Sequence, residues 1–534
     1  MIYEENIIIK KPMKVDIRFG SAYPNAYKTA MSSLGYQIIY HMVNDREDSW
    51  CERIVYPNTR SIESNSPLKD FDIISFSLQY EQDYFNILEM LKQANIPINR
   101  KERKELNKQK QEKNKPAFPL IMAGGPCATA NPFPINDFID IFVVGEAEPI
   151  LNKFLDQYKT LENPTQQLKS FLSIKGIYIP ALNNNVDKVI VKNMVDAYHI
   201  THPIVVKTET EEDKKYLPVF GNSILLNVSR GCSRGCRFCM SGYLYRPTRE
   251  TSLQTLFNVA EETRTNSGLN KITLIGAAVS DYSQINELIK GLKDRNFKVS
   301  APSMRIESIT KETLESLKES GAKTITIAPE SISSFRKAIN KDIDDNKIFD
   351  IVKNITELEL NLKLYFLIGL PNETIEDIKV LANYIKEIDS KKKKNSIKFS
   401  VNPLIPKSHT PFQWESYDLK DFKSKIKYLK KELKGIDIKF DSAKMGFIQY
   451  VLSCKGKEIG NILETSLTQD IQMKEWKKYS KGYEFNDPLP WNKINVGLRD
   501  SFLLKERKKL YNQKSTPWCQ VEPCYNCGPC NEKN

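Results

Sequence analysis

At 534 residues, with 40% hydrophobic and 27% charged residues, the chain is long enough for two to four domains with their own cores. No apolar run approaches the roughly 18 residues a membrane helix needs, and the first sixteen residues lack the apolar stretch of a secretion signal. A cytoplasmic protein without membrane contact is therefore expected, its ten cysteines kept as thiols. The net charge of +13 invites a nucleic-acid reading, but the excess concentrates in 100–115 and in the lysine run 391–394, both of which read as solvated loops.

In chain order, residues 14–18 read as a strand, 26–41 as helical, 72–78 as a buried strand, 84–93 as a helix, and 120–123 and 139–144 as strands. Each later strand ends in a turn of small residues: Ser77-Leu78, Gly124-Gly125-Pro126, Gly145-Glu146. Strands alternating with helices predict a doubly wound parallel sheet over 1–151, with ligands at the carboxyl ends of its strands. A less regular connector follows over 152–220; it contains His199 and His202, which carry no assigned role.

From 221 to about 410 the alternation is strict. Strands are predicted at 224–229, 272–276, 298–304, 324–329, 364–368 and 398–403, with helices at 253–265, 284–293, 311–320, 348–358 and 375–388. Six such units describe a partial (β/α)6 barrel with its chemistry at the C-terminal ends of the strands. Directly after the first strand come Cys232, Cys236 and Cys239, three thiols one short of a closed zinc site. A zinc knuckle completed by a distant ligand is the bland alternative.

The Cys-x3-Cys-x2-Cys spacing, with Phe238 before the last cysteine, resembles the signature of the radical S-adenosylmethionine (SAM) superfamily. That resemblance implies a [4Fe-4S] cluster held by three thiolates, with S-adenosylmethionine on the open iron. It also implies cofactor contacts at Gly276, at Ser303 and Arg305, at Glu330 and Arg336, and at Ile368-Gly369 in the turn Gly-Leu-Pro-Asn-Glu. The acidic residue expected beside Gly276 is missing. Ser77-Leu78 and Gly124-Gly125 are similar to elements of cobalamin-binding domains, but the cobalt-ligating histidine motif is absent from the loop 20–27. Together the two resemblances imply a cobalamin-dependent radical methyltransferase of an anaerobe, acting on an unactivated carbon. A protein side chain is favoured over RNA as substrate, and a ferredoxin or flavodoxin as electron donor.

Residues 411–534 read as a mixed, helical and charged extension. It ends in Cys519, Cys524, Cys527 and Cys530, a second metal signature that suits either an iron–sulfur cluster or zinc. Two rival readings remain. One is a radical enzyme without cobalamin that inserts sulfur into tRNA, the second metal site serving as an auxiliary cluster. The other is a metal-stabilised RNA-binding or scaffold protein without catalysis.

Overall fold

A computed structural model of the protein describes residues 3–301, 304–319, 321–394, 396–519, 524 and 526–530. Six strands form the N-terminal sheet: β1 (Ile17–Tyr23), β2 (Ser49–Val55), β3 (Ile73–Ser77), β4 (Leu120–Gly124), β5 (Ile141–Val143) and β6 (Ile177–Tyr178). Their order is β2-β1-β3-β4-β5-β6, parallel except for β6, which runs antiparallel to β5. The chain reverses direction across the sheet between β1 and β3. That is where a doubly wound sheet opens a crevice at its carboxyl edge.

Three features of this region differ from the sequence reading. Residues 20–23, expected in a loop, extend β1. Strand β2 was not anticipated, because Glu52 and Arg53 interrupt its apolar run; both are fully buried and paired. Glu52 meets Arg18 at 2.5 Å, and Arg53 meets Glu63 at 2.6 Å and Glu4 at 2.7 Å. The basic stretch expected as a solvated loop is instead a helix, Arg100–Glu112, capped by Asn99. Arg103 anchors it, buried against Asp140 (3.0 Å) and the Phe138 carbonyl (2.8 Å).

The barrel strands are β7 (Ile224–Asn227), β8 (Lys271–Ile275), β9 (Lys298–Ser300), β10 (Thr324–Glu330), β11 (Asn361–Ile368), β12 (Ile397–Pro403) and β13 (Ile438–Phe440). They form two parallel sheets, β7-β8-β9 and β10-β11-β12-β13. The predicted helices appear as Leu253–Ser267, Ile285–Asp294, Lys311–Glu319, Asp345–Glu357 and Ile375–Asp389. The alternation runs one unit further than expected: helix Leu419–Glu432 leads to β13, so the (β/α) pattern continues past residue 410.

The C-terminal extension ties the two halves together. Helix Ala443–Cys454 brings Ser453 and Lys455, whose carbonyls accept from Asn131 at 3.0 and 2.8 Å, beside the N-terminal sheet. Lys407 meets the buried Glu81 at 2.5 Å, and Ile494–Asn495 pairs in parallel with Val186–Asp187 of the connector. Among the described residues no helix is long and apolar enough to cross a membrane.

Candidate active site between the sheet and the barrel

The carboxyl edge of β3, β4 and β5 faces the ends of β7 and β8 across a cavity of about 380 Å³. Its sheet side combines small residues at the strand ends, Ser75, Ser77, Gly124, Gly125 and Gly145, with larger ones, Ile38, Ile39, Phe76, Gln79 and Glu146, and Gly35 lies on helix Leu34–Asn44. Asn227, Arg230, Gly231, Tyr245 and Gly276 contribute from the barrel. A narrow apolar slot continues from the cavity between Ile39, Met122, Val143, Leu151 and Phe154.

Local chemistry fixes these small residues. Gly125 has φ +106°, and a Cβ there would lie 2.7 Å from the Leu78 carbonyl oxygen. Leu78 in turn donates its N–H to the Gly124 carbonyl at 2.8 Å. Substituting Gly125 would disturb the β3–β4 edge, whereas a Cβ at Gly124 would meet only Val143, at 3.5 Å. Gly35 differs: a Cβ there meets nothing within 4 Å.

Cys232, Cys236 and Cys239 follow β7 on a loop that borders the cavity; Cys236 is buried and the other two half-buried. Gly231 at φ +84° starts the loop, where a Cβ would sit 2.4 Å from the Tyr245 carbonyl. The Cys239 N–H donates to the Cys236 carbonyl at 3.0 Å, closing the Cys-x2-Cys turn. Burial first, and then the charge of Cys236, pushes the Cys239 thiol up to about 11; burial also raises Cys232. Held as thiolates, the three need positive charge nearby. Arg305 supplies it, donating to the Cys236 sulfur at 3.5 Å while paired with Glu307 at 2.5 Å.

Two arginines inside the motif, given no role in the sequence reading, brace the loop. Arg234 makes a two-point pair with Asp281, at 2.8 and 2.7 Å. Asp281 thus serves the cluster loop. Arg237 is fully buried and donates to Glu506 (2.9 Å), the Ala338 carbonyl (2.5 Å) and the Lys514 carbonyl (2.8 Å). Sequence reasoning also missed the latch between the two halves. Glu146, at the β5 turn, is gripped by Arg249 at 2.9 and 3.0 Å, and Arg230 reaches Glu148 at 2.6 Å. No local motif marks that latch, since its partners are about a hundred residues apart.

The structure brings Ser77, Gly124, Gly125 and Gly276 together at the cavity. Leu78 is buried immediately behind them, and Gly276 packs tightly, a Cβ there lying 3.0 Å from the Ser229 hydroxyl. Phe238 packs against the main hydrophobic core. Ser303 lies outside the described residues. At the later strand ends Glu330 pairs with Lys341 at 2.7 Å, and Arg336 bonds the Ser331 and Ile343 carbonyls and Asp345. Gly369, at φ +82°, would place a Cβ 2.0 Å from the Phe422 ring and donates its N–H to Glu373 at 2.6 Å. Glu330, Arg336, Ile368 and Gly369 are not among the residues that line the cavity.

Two family profiles match the chain: radical SAM proteins, N-terminal, over residues 35–180, and the radical SAM superfamily over residues 226–385. The uncharacterized protein MJ0966 of Methanocaldococcus jannaschii is 33% identical over 450 residues, covering 83% of this chain and 90% of that protein. The chain belongs to the radical SAM superfamily. A tRNA-2-methylthio-N(6)-dimethylallyladenosine synthase of Ehrlichia chaffeensis is 24% identical over 40% of this chain, which spans about half (52%) of that enzyme. Among solved structures, the methyltransferase TsrM of Kitasatospora setae is similar with TM-score 0.48 and 11% identity, over 74% of this chain and 76% of that one. The radical enzyme OxsB is similar with TM-score 0.48 and 14% identity, over 93% and 72%.

Radical SAM enzymes carry a [4Fe-4S] cluster with S-adenosylmethionine, and the donor set here fits one. Three thiols sit on one short loop at the barrel's catalytic face, with Arg305 at the Cys236 sulfur. Among the described residues no three His, Cys, Asp or Glu side chains converge as a site for a single metal ion.

Proposed function

We propose that this radical SAM enzyme is a cobalamin-dependent C-methyltransferase acting on an unactivated carbon, with a protein side chain as the favoured substrate. The observation that supports it is the cavity. The carboxyl edge of a doubly wound sheet faces the ends of β7 and β8 and the two ends of the cluster loop, Gly231 and Ser241, and an apolar slot leads away from it between sheet and helix. A broad opening with a narrow apolar extension suits a large planar cofactor with a trailing aromatic tail. No histidine is among the residues that line the cavity.

When bound, the cluster and S-adenosylmethionine supply a carbon radical by one-electron cleavage, and cobalamin supplies the methyl group. The chain's share is placement. Cys232, Cys236 and Cys239 would hold the iron, and Arg305 balances their charge. Gly231 and Gly276 let the cofactor approach the ends of β7 and β8. Ser75, Ser77, Gly124 and Gly125 leave room for cobalamin along the sheet edge, and Glu146–Arg249 keeps the two halves in register across the cavity. The same reading puts the enzyme in the cytoplasm of an anaerobe, reduced by a ferredoxin- or flavodoxin-type donor.

The test is anaerobic reconstitution with iron, sulfide and cobalamin, followed by methyl-labelled S-adenosylmethionine and a search for mass shifts across host proteins and RNA. Retained cobalamin and a methyl-sized shift on protein are the expected result. The methylthiotransferase relatives favour a second reading, sulfur insertion into tRNA, which a methylthio-sized shift on tRNA without bound cobalamin would establish instead.

A further inference from the structure

Four cysteines at the C-terminus are unused by the chemistry above. The tail that carries them runs along the outer side of the cluster loop. Thr516 donates its N–H to Asn340 at 2.7 Å, and Asn340 donates to the Arg234 and Gly235 carbonyls at 3.1 and 3.2 Å. The Trp518 ring lies 3.7 Å from the Arg234 guanidinium. The Cys519 N–H then donates to the Ser233 carbonyl at 2.8 Å, one residue from Cys232. The tail returns to the same place further on. Cys527 is buried in a cluster with Tyr243, Trp414, Phe502 and Leu503, and the Tyr243 hydroxyl donates to the Gly235 carbonyl at 3.3 Å. Cys519 therefore touches the loop that carries the first three thiols directly, and Cys527 reaches it through Tyr243.

The run has the features of a thiolate site. The Asn526 N–H donates to the Cys524 sulfur at 3.4 Å. Asn526 at φ +55° and Gly528 at φ +122° both take the left-handed conformation that turns a chain sharply. The Arg499 N–H holds the Cys527 carbonyl at 2.9 Å. Cys519-x4-Cys524-x2-Cys527 followed by Cys530 is an iron–sulfur spacing. With four thiols present, such a site has no open iron on which to bind a substrate.

We propose that Cys519, Cys524, Cys527 and Cys530 hold a second iron–sulfur cluster, and that it passes electrons to the first. A short through-bond path joins the two sites. From the Cys519 sulfur, covalent bonds lead to its amide nitrogen, one 2.8 Å hydrogen bond crosses to the Ser233 carbonyl, and covalent bonds continue to the Cys232 sulfur. Cys524 and Cys530 are exposed, so an external donor can reach this end, whereas Cys236 is buried. A low-potential one-electron protein donor is oxidised by one electron. The tail site accepts that electron and hands it to the first site, where the one-electron cleavage of S-adenosylmethionine consumes it. The inference rests on superfamily membership, not on the methylation reading.

The experiment uses full-length protein purified and reconstituted anaerobically. Iron and sulfide should exceed the four of each that a single [4Fe-4S] cluster accounts for. Cys524→Ser and Cys527→Ala should return the count to four. In these variants a protein donor should reduce the remaining cluster at least tenfold more slowly, while dithionite reduces it at the wild-type rate; a merely structural tail would slow both. Should the variants fail to fold, the wild-type protein still decides the matter, because two reduced clusters this close should show spin–spin splitting in their electron paramagnetic resonance spectrum. One zinc per chain beside four irons, or wild-type rates with a protein donor, would overturn the proposal. Cys232→Ala keeps the tests separate, since it should remove only the first cluster.

Discussion

The Arg237–Glu506 pair offers the sharpest test of how the cluster loop is held. Arg237 lies inside the cysteine motif with no solvent exposure, and the Glu506 side chain is 2% exposed. Arg237→Met keeps most of the side-chain volume and removes the charge, leaving the Glu506 carboxylate buried beside Thr516 (2.8 Å) and Lys509 (3.0 Å). Breaking a buried pair from one side costs about 3–5 kcal/mol when the surviving charge is left uncompensated, and Lys509, still paired with Glu506, puts the loss at about 3 kcal/mol, the lower end of that range. The Ala338 and Lys514 carbonyls lose a charged donor as well. Glu506→Gln alone strands the guanidinium and should cost a similar amount. The double variant should cost less than the sum of the two, with a coupling of about 2 kcal/mol or more. Urea unfolding of the iron-free protein at neutral pH, single and double variants in parallel, measures the cycle. Iron retained after gel filtration reports the loop and should fall in Arg237→Met. Additive losses, or an Arg237→Met variant within about 1 kcal/mol of the parent, would refute this account.

Alanine at Cys232, Cys236 or Cys239 should abolish iron–sulfur absorbance from the first site and lower cleavage of S-adenosylmethionine at least a hundredfold, read by chromatography of the products. Gly35→Phe projects into the cavity and not into protein, so cobalamin retention should fall tenfold or more while the melting temperature stays level or rises, as expected when glycine leaves a helix. Gly145→Ala, by contrast, would put a Cβ 2.0 Å from the Val189 carbonyl and should lower the melting temperature markedly. Burial holds His409 down to about 3 and His41 to about 4, so the unfolded chain takes up their protons first. Their contribution to stability is complete above pH 6.5 and shrinks as the pH falls towards 3–4. By pH 5 it should be reduced by roughly 2 kcal/mol for each histidine, and His409→Gln should flatten that part of the stability–pH curve.

Much of the site was legible in the chain because it is local. Three cysteines within eight residues, placed after an apolar strand, declare a thiolate loop, and Ser77-Leu78 and Gly124-Gly125 declare a bare strand edge. Period and turn chemistry likewise announced the alternation of strands and helices, since both depend on near neighbours. Strand β2 was hidden because its charged residues Glu52 and Arg53 are buried, with partners elsewhere in the chain, and helix Arg100–Glu112 because its one buried charge, Arg103, finds Asp140 and the Phe138 carbonyl far along the chain.

What the sequence by itself determined is therefore the order of elements, the thiol loop and the class of chemistry. Tertiary structure alone decided which strand ends share a cavity. It also turned Glu330 and Arg336 to internal pairs, latched Glu146 to Arg249, and laid the C-terminal cysteines against the first thiol loop. These depend on contacts between residues roughly ten to three hundred positions apart, and no local pattern records who meets whom. A guanidinium or a carboxylate reads the same in sequence whether it faces a cofactor, a backbone carbonyl or another side chain. Only packing fixes which of these it meets.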